Sequence, residues 1–364
     1  MLIDTTLREG AQLFGAYFSM DKRESIVADL IHIGIDEIEL GWIGQEGLPE
    51  LAVSARAITK STALSVWSPC RDADIRAAAE LGLDRVNVGV PASDAHMSHR
   101  LGLDRDGLLV RIAATLRAAA DLDLPYISVG LEDVSRADPE FALTAALVAE
   151  QHGAKRVRLS DSLGLWSPLE AAARVAEFRA ALDCELAVHC HDDFGMATGN
   201  AVAALGAGAD YADCSVLGIG ERSGIAATEE LAAYLTLKEE SHAYSTDGIR
   251  SLCNFVSDAA GVPIPRTKAI AGKDIFACES GIHAHALGKS PELFEPYRPD
   301  AVGADRTVAV GGKSGRAAVA RALDDHGLCS RSHDLPALLA AVKKMAWKLE
   351  RPLTSAEFLE LTKN

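Results

Sequence analysis

Aromatic side chains are scarce, at 5% of 364 residues, and no apolar run is long enough to cross a bilayer as a helix. Positive charge is also short. The chain carries 36 Lys and Arg against 52 Asp and Glu, a net charge of −16. That balance argues against a nucleic-acid or anionic membrane partner, because both need cations to displace counterions or meet headgroups. The seven cysteines are scattered, with no CxxC spacing and an odd total. A zinc ribbon or disulfide framework is therefore not expected, and a reducing compartment is. No basic-then-apolar leader opens the chain, and a cytoplasmic location follows as the expectation.

What is present is a repeat. Eight short β-like runs recur: "LID" at the start, "DEIELG" from 36, "ALSVW" from 63, "DRVNVGV" from 84, "YISVGL" from 126, "KRVRLS" from 155, "ELAVHC" from 185 and "DYADCSVLG" from 210. Four are entered by the same phrase, "GIDEIEL", "GLDRVNV", "GAKRVRL" and "GADYADC", in which Gly ends a helix and a buried strand follows at once. The intervening segments, such as "GLLVRIAATLRAAADL", space Ala and Leu as a helix does. Alternation of this kind predicts a (β/α)8 TIM barrel over 1–240. No GxGxxG follows the first strand, which weakens an open dinucleotide-binding sheet. Residues 241–364 are Gly/Pro-punctuated and then helical, and are expected to form a mostly helical C-terminal accessory region, with a lid or partner-crossing arm and a helical tail.

In such a barrel the chemistry sits at the C-terminal strand ends. "AVHCHDDFG" places His189 and His191 at i and i+2 of the seventh strand, on one side of it, which suits a shared metal ion. A third ligand from the first strand would be Asp4 or Glu9; the spacing leaves both open, although Glu9 lies just past the strand. Arg8 is either a surface ion-pair partner of Glu9 or a fixed charge for a developing oxyanion. "SVGLEDVSRAD" offers Glu132, Asp133 and Arg136, which read equally as a solvated loop or as a proton acceptor and a carboxylate clamp. Asp161 and Ser162 either meet substrate or start the next helix. In "ESGIHAHALG", Glu279, His283 and His285 suggest a single acid or base on a loop.

Taken together, "DTTLREG" (4–10), "HCHDDFG" (189–195), "GIGERSGI" (218–225) and "ESGIHAHA" (279–286) resemble the homocitrate synthase / isopropylmalate synthase family of acyl-CoA-condensing barrel enzymes over nearly the whole chain. "SVGLEDVSRADPEF", "LSDSLGLWSP" and "FACESGIHAHAL" look most like the nitrogen-fixation type of homocitrate synthase. The resemblance implies a divalent metal (Mg, Mn or Zn) on Glu9, His189 and His191, with Arg8 beside the keto oxygen. It implies acetyl-CoA and a 2-oxo acid as substrates, Arg136 and Ser162 at the acid's carboxylates, and His283 reaching a neighbouring subunit to work with Glu132. A homodimer with a domain-crossing C-terminal arm follows. The first expectation is condensation with 2-oxoglutarate to homocitrate; isopropylmalate, citramalate or citrate formation is the near alternative, and acyl-CoA lyase chemistry the more distant one. Departures from the pattern bear on the acid. Ser162 replaces a usual Thr and "AVGGKSG" a usual "LGKHSG"; Ile225, as in lysine-pathway homocitrate synthases, stands where isopropylmalate synthases have Asn, and Trp42 at the second strand's end is expected to reshape the acceptor pocket.

Overall fold

The structure is a computed structural model that describes residues 1–240, 244–279 and 290–363. All eight anticipated strands form: β1 (Leu2–Asp4), β2 (Glu37–Trp42), β3 (Ala63–Pro69), β4 (Arg85–Pro91), β5 (Ile127–Glu132), β6 (Arg156–Asp161), β7 (Glu185–Cys190) and β8 (Tyr211–Cys214). They close into one parallel barrel, the last pairing joining Ile3 of β1 to Asp213 of β8. Gly34 ends helix Met20–Ile33 in the left-handed conformation, at φ 87°, and its N–H reaches back to Leu30 and Ile31. The same positive φ recurs at Gly82, Gly153 and Gly208, before β4, β6 and β8. Helix starts are set as locally: Ser167 and Glu170 form a capping box before Pro168.

The strands carry their apolar residues outward. Ile38 and Leu40, Val157 and Leu159, and Leu186 and Val188 are buried on the helix-facing side of the wall. The alternate, lumen-facing positions of β2 and β6 are charged, where barrels of this kind are usually filled by branched apolar side chains. Glu37 accepts from Arg156 at 2.8 and 3.0 Å and from Arg85 at 2.6 Å. Asn87 links Arg156 to Glu39, at 2.8 and 2.7 Å. The Arg156 guanidinium also lies 4.7 Å from the Tyr211 ring centre. This network plugs the lower barrel and leaves the upper lumen to the site.

The chain divides into two compact units, Met1–Ile264 and Pro265–Asn364. The first runs past residue 240 because helix Ile249–Ala260, whose Leu252, Cys253 and Val256 are buried, packs against helix Met20–Ile33. The second contains a two-stranded parallel pair, Ala277–Cys278 with Thr307–Val308. Its helices Arg316–Asp325, Leu335–Leu349 and Ser355–Leu361 enclose a core of Val319, Leu323, Val342 and Phe358. Among the described residues, no helix is long and apolar enough to cross a membrane.

Candidate metal and substrate site at the barrel mouth

The end of β7 brings the two histidines together as their spacing predicts. Their Nε2 atoms are 3.3 Å apart and the ring centres 5.0 Å apart, with both side chains buried. His189 Nδ1 lies 2.9 Å from Asp213 Oδ2 on neighbouring β8, a bond that holds the ring and leaves Nε2 as its free lone pair. Desolvation by burial, helped by Arg8, holds His189 well below the usual histidine range; burial does the same for His191. Both rings are therefore neutral.

Glu9 completes the cluster, and one ligand atom from each of Glu9, His189 and His191 lies within 4.8 Å of the others. The sequence left Asp4 as a rival. Asp4 instead accepts from Thr228 Oγ1 at 2.7 Å and from the Thr6 N–H at 2.9 Å, fully buried at the barrel seam. Burial raises the Glu9 carboxyl, but the Arg8 guanidinium beside it, with the Glu221 N–H, offsets this and the group stays below its ordinary range. One carboxylate and two neutral imidazole nitrogens converging in a buried pocket suit a divalent cation, whose charge would occupy the point at which the two lone pairs now meet.

Arg8 is fixed on two sides, 2.5 Å from both Glu9 and Glu39. Above it the "GIGERSG" segment folds over the mouth. The Glu221 N–H donates to Glu9 Oε1 at 3.1 Å, and Ile225 forms an antiparallel backbone bridge with His191, its apolar side chain offering no ligand. Gly224 is indispensable to this turn, since its φ is +83° and a Cβ there would lie 1.8 Å from the Gly218 carbonyl oxygen.

These groups line a cleft of about 420 Å³, together with Trp67, Asn87, Gly89, Arg100, Gly130, Glu132, Arg158 and Ser162. That is ample for a small organic acid. Glu132 pairs with Arg100 at 2.7 Å, and Ser162 Oγ accepts from the Asp133 N–H at 2.8 Å. Arg136 is committed elsewhere: it forks onto Asp133 at 2.9 and 2.8 Å and is not among the cleft-lining residues. Its Nη2 also lies 3.3 Å from His96 Nε2, and His96 does line the cleft. Asp161 accepts from the N–H groups of Leu165 and Trp166, at 3.0 and 2.8 Å, and so shapes the loop after β6. Trp42 is not among the cleft-lining residues: a bulge between Glu39 and Trp42 breaks the alternation of β2, and Trp67 of β3, its register partner, supplies the indole. In the second unit Glu279 receives the Lys313 N–H at 3.1 Å. His283 and His285 lie outside the described residues.

Sequence reasoning missed Glu39, Asp213, Arg158, Arg100 and Arg222. The signal for three of them was present in the charged alternate positions of "DEIELG", "KRVRLS" and "DYADC". Arg222, from "GERSG", forks onto Asp193 at 2.9 Å and donates to the Ser162 carbonyl at 2.6 Å.

Residues 1–256 match the HMGL-like family, and 270–350 match the homocitrate synthase post-HMGL domain-like family. Homocitrate synthase 1 of Nostoc sp. is 35% identical over 100% of this chain and 97% of its own length. The 2-isopropylmalate synthase 2 of Caldanaerobacter subterraneus is also 35% identical, over 99% of this chain and 94% of its own length. Among solved structures, the HMG-CoA lyase of Bacillus subtilis superposes with a TM-score of 0.66 at 19% identity, covering 73% of this chain and 95% of that one, a likeness of fold. The chain belongs to the HMGL-like barrel enzymes and, within them, to the homocitrate synthase / isopropylmalate synthase family of acyltransferases.

Proposed function

We propose that this enzyme condenses acetyl-CoA with a 2-oxo acid, 2-oxoglutarate in the first instance, and releases free CoA by hydrolysis of the thioester, as a homocitrate synthase does. The observation that carries the reading is the convergence of Glu9, His189 and His191 beside Arg8 in the cleft at the barrel mouth. Glu9, His189 and His191 would hold a divalent ion (Mg, Mn or Zn), which when bound supplies Lewis acidity to a keto oxygen. Arg8, pinned between Glu9 and Glu39, presents a fixed positive charge to the oxygen on which charge develops, without reorganising during the step. Glu132, at the mouth end of β5, is the carboxylate placed to accept or relay the methyl proton, and Arg100 orients it. Ser162 offers its hydroxyl to a substrate carboxylate from the rim of the same cleft. His283 remains the proposed partner of Glu132, brought by the C-terminal arm of a second copy in a cytoplasmic homodimer.

Isopropylmalate synthesis is the second reading, favoured by the 35% identity to the Caldanaerobacter enzyme. Citramalate or citrate formation stays within the same chemistry. The test is a free-thiol assay of CoA release from acetyl-CoA against a panel of 2-oxo acids, with each metal and with a chelator. Metal-dependent release with 2-oxoglutarate is expected. If no acid releases CoA with any of the three ions, the reading falls.

A further inference from the structure

Arg156 and Arg158 stand two residues apart on β6 and face the same lumen, yet they are held very differently. Arg156 uses its whole guanidinium, with contacts of 2.8, 3.0, 2.8 and 3.2 Å to Glu37, Asn87 and Ser128. Arg158, one layer nearer the mouth, has only long contacts. Its Nη1 is 3.4 Å from Glu39 and 3.2 Å from Asp213, its Nη2 is 3.5 Å from Glu39, and its Nε–H has no acceptor among the described residues. Charge-assisted bonds of this kind normally close to about 2.8 Å. The other cleft guanidiniums are taken: Arg8 at 2.5 Å by Glu9 and Glu39, Arg100 at 2.7 Å by Glu132, and Arg222 at 2.9 Å by Asp193. A buried cation with an unpaired donor is costly unless something completes it.

The wall beside Arg158 is also bare. Gly130 of β5 is its register partner, and Gly89 of β4 is the register partner of Gly130. Three adjacent strands thus present Gly, Gly and Arg at one level. At Gly89 the space is filled from above, since a Cβ there would lie 2.7 Å from the Trp67 ring and 2.6 Å from Glu132. At Gly130, which lines the cleft, no side chain intrudes: a Cβ would fit in ordinary contact, 3.6 Å from the Val88 carbonyl oxygen and 3.8 Å from the Arg158 stem. Arg158 and the His189 ring share the Asp213 carboxylate, so this gap adjoins the Glu9/His189/His191 cluster.

Building on the synthase reading above, we propose that Arg158, reached through the gap at Gly130, is the specificity-determining residue that binds a second anionic group on the acceptor, so that the enzyme selects dicarboxylic 2-oxo acids.

The test measures CoA release with 2-oxoglutarate, oxaloacetate, pyruvate and 2-oxoisovalerate for the wild type, Arg158→Gln, Arg158→Lys and Gly130→Val. The wild type is expected to prefer the two dicarboxylates. Arg158→Gln should lower the ratio of kcat/KM on 2-oxoglutarate to that on pyruvate by roughly 10- to 100-fold, mainly through KM, and Arg158→Lys should restore part of it. Gly130→Val leaves Arg158 in place but obstructs the approach, and should lower the same ratio; it decides the matter if Arg158→Gln does not fold by circular dichroism. A wild-type preference for a monocarboxylate, or a fall of equal size for both acid classes, overturns the inference while leaving the synthase reading standing. A wild type that releases CoA with none of the four overturns that reading and the inference with it.

Discussion

His189 is held by a carboxylate it does not share with solvent, and that one bond decides which nitrogen faces the lumen. Asp213 accepts on the Nδ1 side at 2.9 Å, and Nε2 is left to face Glu9 and His191. Removing the ring should abolish metal retention. For His189→Ala we expect loss of bound divalent ion by elemental analysis, and CoA release lower by at least about 100-fold. Asp213→Asn keeps the shape but not the charge, and should weaken metal affinity by roughly 10- to 100-fold in a chelator competition. Asp4 behaves differently. Burial, only partly offset by the Thr228 and Thr6 hydrogen bonds, raises its carboxyl to about 6. The folded protein therefore binds this proton more tightly than the unfolded chain does. Asp4 favours folding while it is protonated, and its contribution falls as pH rises from about 4 to about 6. The difference in urea stability between wild type and Asp4→Asn should change by on the order of 2 kcal/mol across that window.

At the scale of the element, a β-strand that buries its apolar side against helices has only its other side for chemistry. In β2 and β6 that side carries Glu37, Glu39, Arg156 and Arg158, whose mutual pairing replaces an apolar filling. Paired, these charges are tolerated; singly, they are not. Glu37→Gln should cost about 3–5 kcal/mol in urea unfolding, because Arg156 would keep its charge at 0% exposure without its main partner. Burial raises the Glu37 carboxyl, and Arg156 and Arg85 overcome this and hold it far below the carboxylate range. Its contribution is accordingly present above the unfolded carboxyl value and is lost as pH falls toward the folded one. The turn after β8 is the other sensitive element. Gly224→Ala places a methyl against the Gly218 carbonyl and should destabilise by more than about 1 kcal/mol. It should also reduce CoA release, since the turn delivers the Glu221 N–H to Glu9.

For the whole molecule, an ion held only by the folded barrel must stabilise it by mass action. At 100 times its dissociation constant the gain is about 2.7 kcal/mol. Chelator treatment should lower the unfolding temperature by several degrees, and Mn²⁺ or Mg²⁺ should restore it; an unchanged midpoint would argue that no ion is held. Much of this architecture was legible beforehand because it is written locally. Short β-like runs alternating with helical segments, four of them entered through a helix-ending glycine, located the eight strands, and the i, i+2 spacing of His189 and His191 was enough to put both rings on one side of β7. Chemistry that depends on remote neighbours was not legible. Glu39 and Arg158 meet from positions 119 apart, and no short-range pattern announces which charged residue a barrel will set opposite which. Nor does the sequence show that Arg136 pairs with Asp133 or that Trp67 rather than Trp42 lines the cleft; those outcomes depend on loop geometry and on the bulge in β2. The linear chain determined the elements and the pair of histidines, since these follow from backbone stereochemistry over a few residues. Closure of β1 onto β8 decided the rest: it brought Glu9 rather than Asp4 to the histidines and left the Arg158 Nε–H without an acceptor among the described residues, because which groups face one another across a closed barrel depends on its register.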